Sequence, residues 1–250
     1  MAKGRAKIAM SQGLSVWVLE APEGFGDAQF HAHQAIQITV SLAGGLTLSS
    51  PDLALSAPAL AVAADKQHKL EAHGLLAFIF VEPESWAGRA LRDAMLRDRT
   101  LVELDKSFVQ SLEHLRSTFN DSLPNEALLE AGRNLVEELT PDIQASLPDH
   151  RIQRIIDYAV SHLDQPLSLT RASKGIHLSP SRLRHLFVEQ TGLPFKSYLL
   201  WLRLVRAVHE YSQGLSLTEA AHQAGFADSA HFSRVFRRTF GLPVTALARF

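Results

Sequence analysis

The feature that most constrains this chain is a duplication near its end. Laying residues 172–194 over 221–243, an offset of 49, places Ala172 on Ala221, Phe187 on Phe236, and Gly192-Leu193-Pro194 on Gly241-Leu242-Pro243. Leu183 then falls on Phe232 and Leu186 on Val235, so the apolar positions repeat with helical spacing. Each copy reads as a short helix, a tight turn and a second helix. A capping residue opens the second helix in both: Ser179 ahead of Pro180, and Asp228 in the later copy. This is the helix-turn-helix pattern. The later turn contains Gly225, which lacks a Cβ and permits a sharp reversal, whereas the earlier copy has Ile176-His177 there.

On each second helix the apolar residues share one face and leave polar ones on the other. Arg182, Arg184 and His185 remain in the first copy, and Ser229, His231, Ser233 and Arg234 in the second. Polar side chains near the start of such a helix can reach base edges in a major groove, and Arg can donate two hydrogen bonds to guanine. Arg237 and Arg238 lie further along and are better placed for phosphates. Taken singly, each of these charges also fits a solvated helix face. Charge distribution separates the two readings. Residues 1–150 hold 12 Lys+Arg against 20 Asp+Glu, a net of −8, and residues 151–250 hold 13 against 6, a net of +7. Only the C-terminal part is suited to a polyanion.

At this point residues 151–250 resemble the DNA-binding domain of the AraC/XylS family of bacterial transcription regulators. The resemblance rests on LSPSRLRHLFVEQTGLPFKSYLLWLRLVRA followed by LTEAAHQAGFADSAHFSRVFRRTFGLP, with the Arg203-Leu204 and Arg206-Ala207 pairs in the joining helix. It implies two helix-turn-helix units joined by one long helix, about Phe195 to Ser212, entering adjacent major grooves. It also implies base contacts from Ser181, Arg182, Arg184 and His185, and from Ser229, Ala230, Ser233 and Arg234. Ala230 enters through the resemblance alone and could offer only an apolar contact to a thymine methyl. The partners implied are double-stranded operator DNA and a small-molecule or metal effector, with RNA polymerase and a second copy of the chain as further ones.

The first 82 residues read differently. LSVWVLEA, AIQITVSLAG, GLTLSS, PALAVAA and LLAFIFVE are short runs rich in Val, Ile, Leu and Phe, separated by Gly, Pro, Asp and Ser. They predict a compact antiparallel barrel or sandwich. From Pro83 the period becomes helical: ESWAGRALRDAMLRD predicts one helix. A second follows on Leu104, Phe108, Leu112, Leu115 and Phe119, and EALLEAGRNLVEEL predicts a third. These helices either complete the core or form a dimer interface.

Residues 31–37 of the barrel read HAHQAIQ. On a strand, His31, His33 and Gln37 point to one side, and two imidazoles so placed can bind a first-row metal when another strand supplies a third ligand. His68 is the candidate and His73 a second. The stretch resembles the first cupin motif, His-x-His-x3-Glu-x6-Gly, with Gly44 in place but Gln37 where the acidic ligand would stand. An amide is a poorer ligand than a carboxylate. A sensor pocket, a retained metal site and histidines at a barrel mouth with no ligand all remain open, and a cupin enzyme with an accessory helical domain is the rival from another class. The chain has no cysteine, which excludes disulfides and thiolate sites. Its start, MAKGRAKIAMSQG, leads into no apolar h-region and no run of about 18 apolar residues follows, so a cytoplasmic protein with no membrane partner is expected.

The expectation is therefore an α+β protein: a reduced cupin-like β-barrel over 1–82, a helical connector over 83–148 that either completes the core or dimerises, and an all-α double helix-turn-helix domain over 149–250. The expected function is that of a sequence-specific transcription regulator, not an enzyme, sensing a small molecule or a divalent transition metal through His31, His33, Gln37 and His68.

Overall fold

A computed structural model describes residues 5–24, 29–104, 109–121, 123–141, 149–241 and 243–249. It separates into two compact units, Met1–Ala145 with Phe236–Phe250, and Ser146–Val235.

The first unit is built on a seven-stranded antiparallel sheet. Its strands are β1 (Ala6–Ser11), β2 (Leu14–Ala21), β3 (Ile36–Ser49), β4 (Ala54–Ser56), β5 (Ala59–Val62), β6 (Lys69–Val81) and β7 (Leu101–Glu103). They pair in the order β1-β2-β6-β3-β5-β7, and β4 pairs with β3. The register sorts the side chains into two faces. Val16 opposes Ile79, which in turn opposes Ile38, and with Val18, Ala77 and Val40 they form an apolar face. Ser15 opposes Phe80, which opposes Gln37, and Trp17 opposes Phe78, which opposes Thr39. This second face is also buried, but it carries polar groups.

Two expected strands turn out to be one. AIQITVSLAG and GLTLSS run continuously as β3, with a bulge between Ser41 and Ala43. Gly44 pairs with Gly74, at φ +108° and +94°. A Cβ on Gly44 would lie 2.1 Å from the His73 carbonyl oxygen, so only paired glycines let both strands bend together here. β1 lies in a stretch that gave no strand signal, and β7 lies within the segment expected to be wholly helical.

That segment opens with α1 (Trp86–Leu91), capped by Ser85, whose hydroxyl accepts from the Gly88 N–H; it passes into a wider π turn over 92–96. Then come α2 (Val109–Asn120) and α3 (Asn125–Leu139). Leu104 precedes the second of these helices instead of starting it, and Phe108 lies outside the described residues. Leu115 and Phe119 of α2, and Leu128, Ala131, Leu135 and Val136 of α3, join the sheet's apolar face in one core. The opposite side of α3 presents Glu126, Glu130, Arg133, Glu137 and Glu138.

The second unit is helical. α4 (His150–Ser161) is capped by Asp149; α5 (Leu169–Ala172), α6 (Pro180–Thr191), α7 (Phe195–Ser212) and α8 (Leu217–Gln223) follow, then α9 (Ser229–Phe240), whose last residues, from Phe236, fall in the first unit. The two caps read from the sequence are present. Ser179 accepts from the Arg182 N–H, and Asp228 Oδ1 accepts from the His231 N–H at 2.6 Å. Ser216 and Glu219 form a capping box on α8. Phe187 packs edge-on against Phe195 and Tyr198, with centroids 5.4 and 5.5 Å away, fixing α6 on α7. An N-terminal antiparallel sheet and a C-terminal helix-turn-helix region agree with the α+β expectation.

Candidate functional site

The two halves of the duplication, α5–α6 and α8–α9, each bury one face and expose the other. Leu183, Leu186 and Phe187 of α6 are buried, as are Phe232, Val235 and Phe236 of α9. Ser181, Arg182, Arg184 and His185 are exposed; so are Ala230, Arg234, Arg237 and Arg238, while Ser229 and Ser233 are half-buried. The Ser233 hydroxyl donates to the Ser229 carbonyl at 2.8 Å. Eight of the ten residues expected to meet DNA are thus exposed, and Ser229 and Ser233 are partly covered.

The turn before α9 is held from behind. Arg203 on α7 donates through Nε to the Leu163 carbonyl and through Nη2 to that of Gln165, both at 2.9 Å. These carbonyls follow the end of α4 at a part-buried site, where a backbone acceptor needs a donor. Gly225 (φ +82°) presses on the same place: a Cβ there would be 2.3 Å from the Leu163 oxygen and 2.9 Å from Arg203 Nε.

In the first unit, His31, His33 and His68 converge, with one potential ligand atom from each within 4.8 Å of the others. The strand expected over HAHQ is reduced to a single bridge in which His31 and His68 exchange backbone hydrogen bonds, both 2.9 Å. All three rings are buried, His68 completely. The ring centroids of His31 and His68 are 4.3 Å apart, and those of His33 and His68 4.9 Å. His73 stays exposed opposite Gly45 and is not part of the cluster.

One pattern repeats in all three. Nδ1 of His31 faces the Gln29 carbonyl at 2.8 Å, Nδ1 of His33 that of Ala35 at 3.0 Å, and Nδ1 of His68 that of Lys66 at 2.9 Å. A carbonyl can only accept, so Nδ1 carries the proton in each neutral ring and Nε2 keeps the lone pair. His68 Nε2 is buried with no hydrogen-bond partner among the described residues. His33 Nε2 sits 2.8 Å from the Gln37 amide oxygen, and the amide nitrogen lies 2.7 Å from Thr39 Oγ1. Exchanging the O and N of that amide gives every group a complementary partner: Gln37 donates to His33 Nε2, and Thr39 donates to Gln37. Thr39, two residues beyond Gln37 on the same face, was not among the expected site residues; the period-two alternation of β3 was the available signal.

Burial lowers the pKa of all three histidines. His33 falls to about 4, and His68 falls further because the other two rings add to its desolvation. Burial also lowers His31, against a backbone hydrogen bond that raises it. Near neutral pH the cluster is therefore three uncharged imidazoles, the form that ligates metal. Trp17 and Phe80 wall it: the His33 and Phe80 centroids are 5.3 Å apart, and Trp17 and Phe80 meet edge-on at 4.9 Å. The donor set fits a borderline-soft divalent ion such as Zn2+, with Nε2 of His31, His33 and His68 as ligands once Gln37 releases His33.

Residues 172–249 match a family model described as a helix-turn-helix domain. The HTH-type transcriptional regulator YpdC of Escherichia coli is 32% identical over 128 residues, 50% of this chain and 44% of that protein. The HTH-type transcriptional activator RhaS of Escherichia fergusonii is 38% identical over 95 residues, 37% of this chain and 34% of that protein. The chain thus matches less than half the length of these relatives. Over nearly its whole length it is similar in fold to ToxT from Vibrio cholerae, with a TM-score of 0.58 at 13% identity, covering 99% of this chain and 98% of that one. A ToxT structure described as bound to an unsaturated fatty acid gives a TM-score of 0.57 at 13% identity, covering 98% and 96%. At this identity the likeness is one of fold alone.

Proposed function

We propose that this chain, whose residues 172–249 match the helix-turn-helix domain family, is a sequence-specific transcription regulator of the AraC type with a sensor site in its sheet unit. The observation that carries the reading is the duplicated helix-turn-helix with two outward polar faces, set in a segment of net charge +7 over residues 151–250. Relatives matched over this segment are named as transcriptional regulators, which supports regulation over catalysis. Base reading falls to Arg182, Arg184 and His185 on α6, and to Ser229, Ser233 and Arg234 on α9, and phosphate contact to Arg237 and Arg238. Two such helices on one face of DNA read sites about one turn, roughly 34 Å, apart.

The sensor site of this reading is the cluster of His31, His33 and His68 with Gln37. Three neutral imidazoles, one with an orphaned buried nitrogen, support a divalent transition metal as its occupant; bound there, the ion would supply a fixed charge and a coordination position. An effector regulates only if it favours one arrangement of the protein over another. The test is selection of full-length protein on a random DNA pool with sequencing of the bound fraction, with and without Zn2+. Enrichment of one motif supports the regulator reading, and retention of all sequences alike overturns it. No helix among the described residues is long and apolar enough to cross a membrane.

A further inference from the structure

Within the first unit, the last turn of α9 ends on the histidine cluster. The Phe240 ring packs against Trp17 at 5.1 Å, Phe80 at 5.6 Å and His33 at 6.0 Å between centroids. Phe236, one turn earlier, packs at a tilt against Phe240, with centroids 4.8 Å apart. Gly241 closes the helix, its N–H donating to the Arg237 carbonyl at 2.9 Å, and it is buried against His31. A Cβ built on Gly241 would lie 2.6 Å from His31 Nδ1 and 2.8 Å from the Gln29 carbonyl, the acceptor that fixes that ring's tautomer.

The duplication supplies an internal control. Gly192 ends α6 with nearly the same φ, +76° against +71° for Gly241, yet a Cβ on Gly192 would meet nothing within 4 Å among the described residues. Helix capping therefore explains both glycines, but only the second also serves as a contact surface.

We infer that the histidine cluster holds the C-terminal turn of α9, so that whatever fills or rearranges the cluster controls how firmly the end of this helix is ordered. The inference rests on the sensor reading of the cluster given above. Arg237 and Arg238 lie within that turn, three and two residues before Phe240. An occupant that draws His31 and His33 together alters the surface on which Gly241 and Phe240 rest, and linkage requires that firm seating of the turn favour that occupant in return.

Amide hydrogen exchange on the full-length protein tests this, read on peptides covering 236–241 with the α4 peptide as a control for global unfolding. Saturating Zn2+ is expected to slow exchange in 236–241 about fivefold or more, and Phe240→Ala is expected to weaken Co2+ binding, followed by its visible spectrum, to a similar degree. One equivalent of Zn2+ bound with exchange unchanged in that turn would overturn the inference while leaving the metal site standing. If Zn2+ does not bind, the metal reading fails by itself and the metal-free variants decide: His31→Ala and His33→Ala accelerate exchange in 236–241 if the inference is right, and leave it at the wild-type rate if it is wrong.

Discussion

His31 and His68 face each other as a cross-strand pair, exchanging both backbone hydrogen bonds at 2.9 Å and bringing their rings to 4.3 Å. The backbone fixes the spacing, and each Nδ1 is committed to a carbonyl two residues away. The two rings are thereby held with the proton on Nδ1 and the lone pair on Nε2 before any ligand arrives.

Metal content should follow that geometry. Purified protein loaded with Zn2+ and desalted is expected to retain close to one equivalent, and the double variant His31→Ala, His33→Ala to retain almost none, measured by elemental analysis. Equal retention by both proteins would place the metal elsewhere.

Base and phosphate contacts should separate by their response to sequence. Arg234→Ala is expected to cost about 1–3 kcal/mol on the selected site and to relax preference at one base. Arg238→Ala should weaken binding to every sequence alike and reduce the salt slope by about 1. Titrations on selected and scrambled duplexes at several salt concentrations distinguish them, and identical losses on both duplexes would contradict the division.

The two helix-ending and turn glycines of the helical unit should respond unequally. Gly225→Ala forces a Cβ to 2.3 Å from the Leu163 oxygen at positive φ, and is expected to destabilise the unit by about 2–3 kcal/mol. Gly192→Ala carries only the left-handed backbone cost, about 1 kcal/mol. Urea unfolding followed by helical circular dichroism gives both values.

Asp149 provides a pH signature. Its hydrogen bonds to Arg151, the larger effect, and to the start of α4 lower its pKa from 3.8 to about 2. A carboxyl with a depressed folded pKa stabilises above its unfolded value and loses that stabilisation as pH falls through the folded one. Asp149→Ala should therefore cost about 1 kcal/mol at pH 7, and the difference from wild type should shrink between about pH 4 and pH 2. A gap that is constant with pH would assign the effect to packing.

Much of the helical unit was legible because its signals are local. Caps at Ser179 and Asp228, the glycine at 225 and the apolar spacing of α6 and α9 each depend on a few neighbouring residues. The sheet was legible in its interior strands and not at its margins. β1 and β7 are short edge strands whose place is set by β2 and β5, and the division drawn at Gly44-Gly45 missed that Gly74 opposite bends in concert. The helices over 109–139 matched their periodicity, but no pattern stated which surface they cover; the common core with β2, β3 and β6 did.

The sequence by itself determined the helix-turn-helix duplication, the polarity of its outward faces and the presence of two histidines at alternate positions, since each follows from periodicity and local capping. Only the tertiary structure decided that His68, across a strand pairing, completes their cluster, that all three rings commit Nδ1 to a backbone carbonyl, and that the end of α9 rests on two of them. These facts depend on contacts between residues as far apart as 31 and 241, and on the desolvation those contacts cause, and neither is written in any short stretch of the chain.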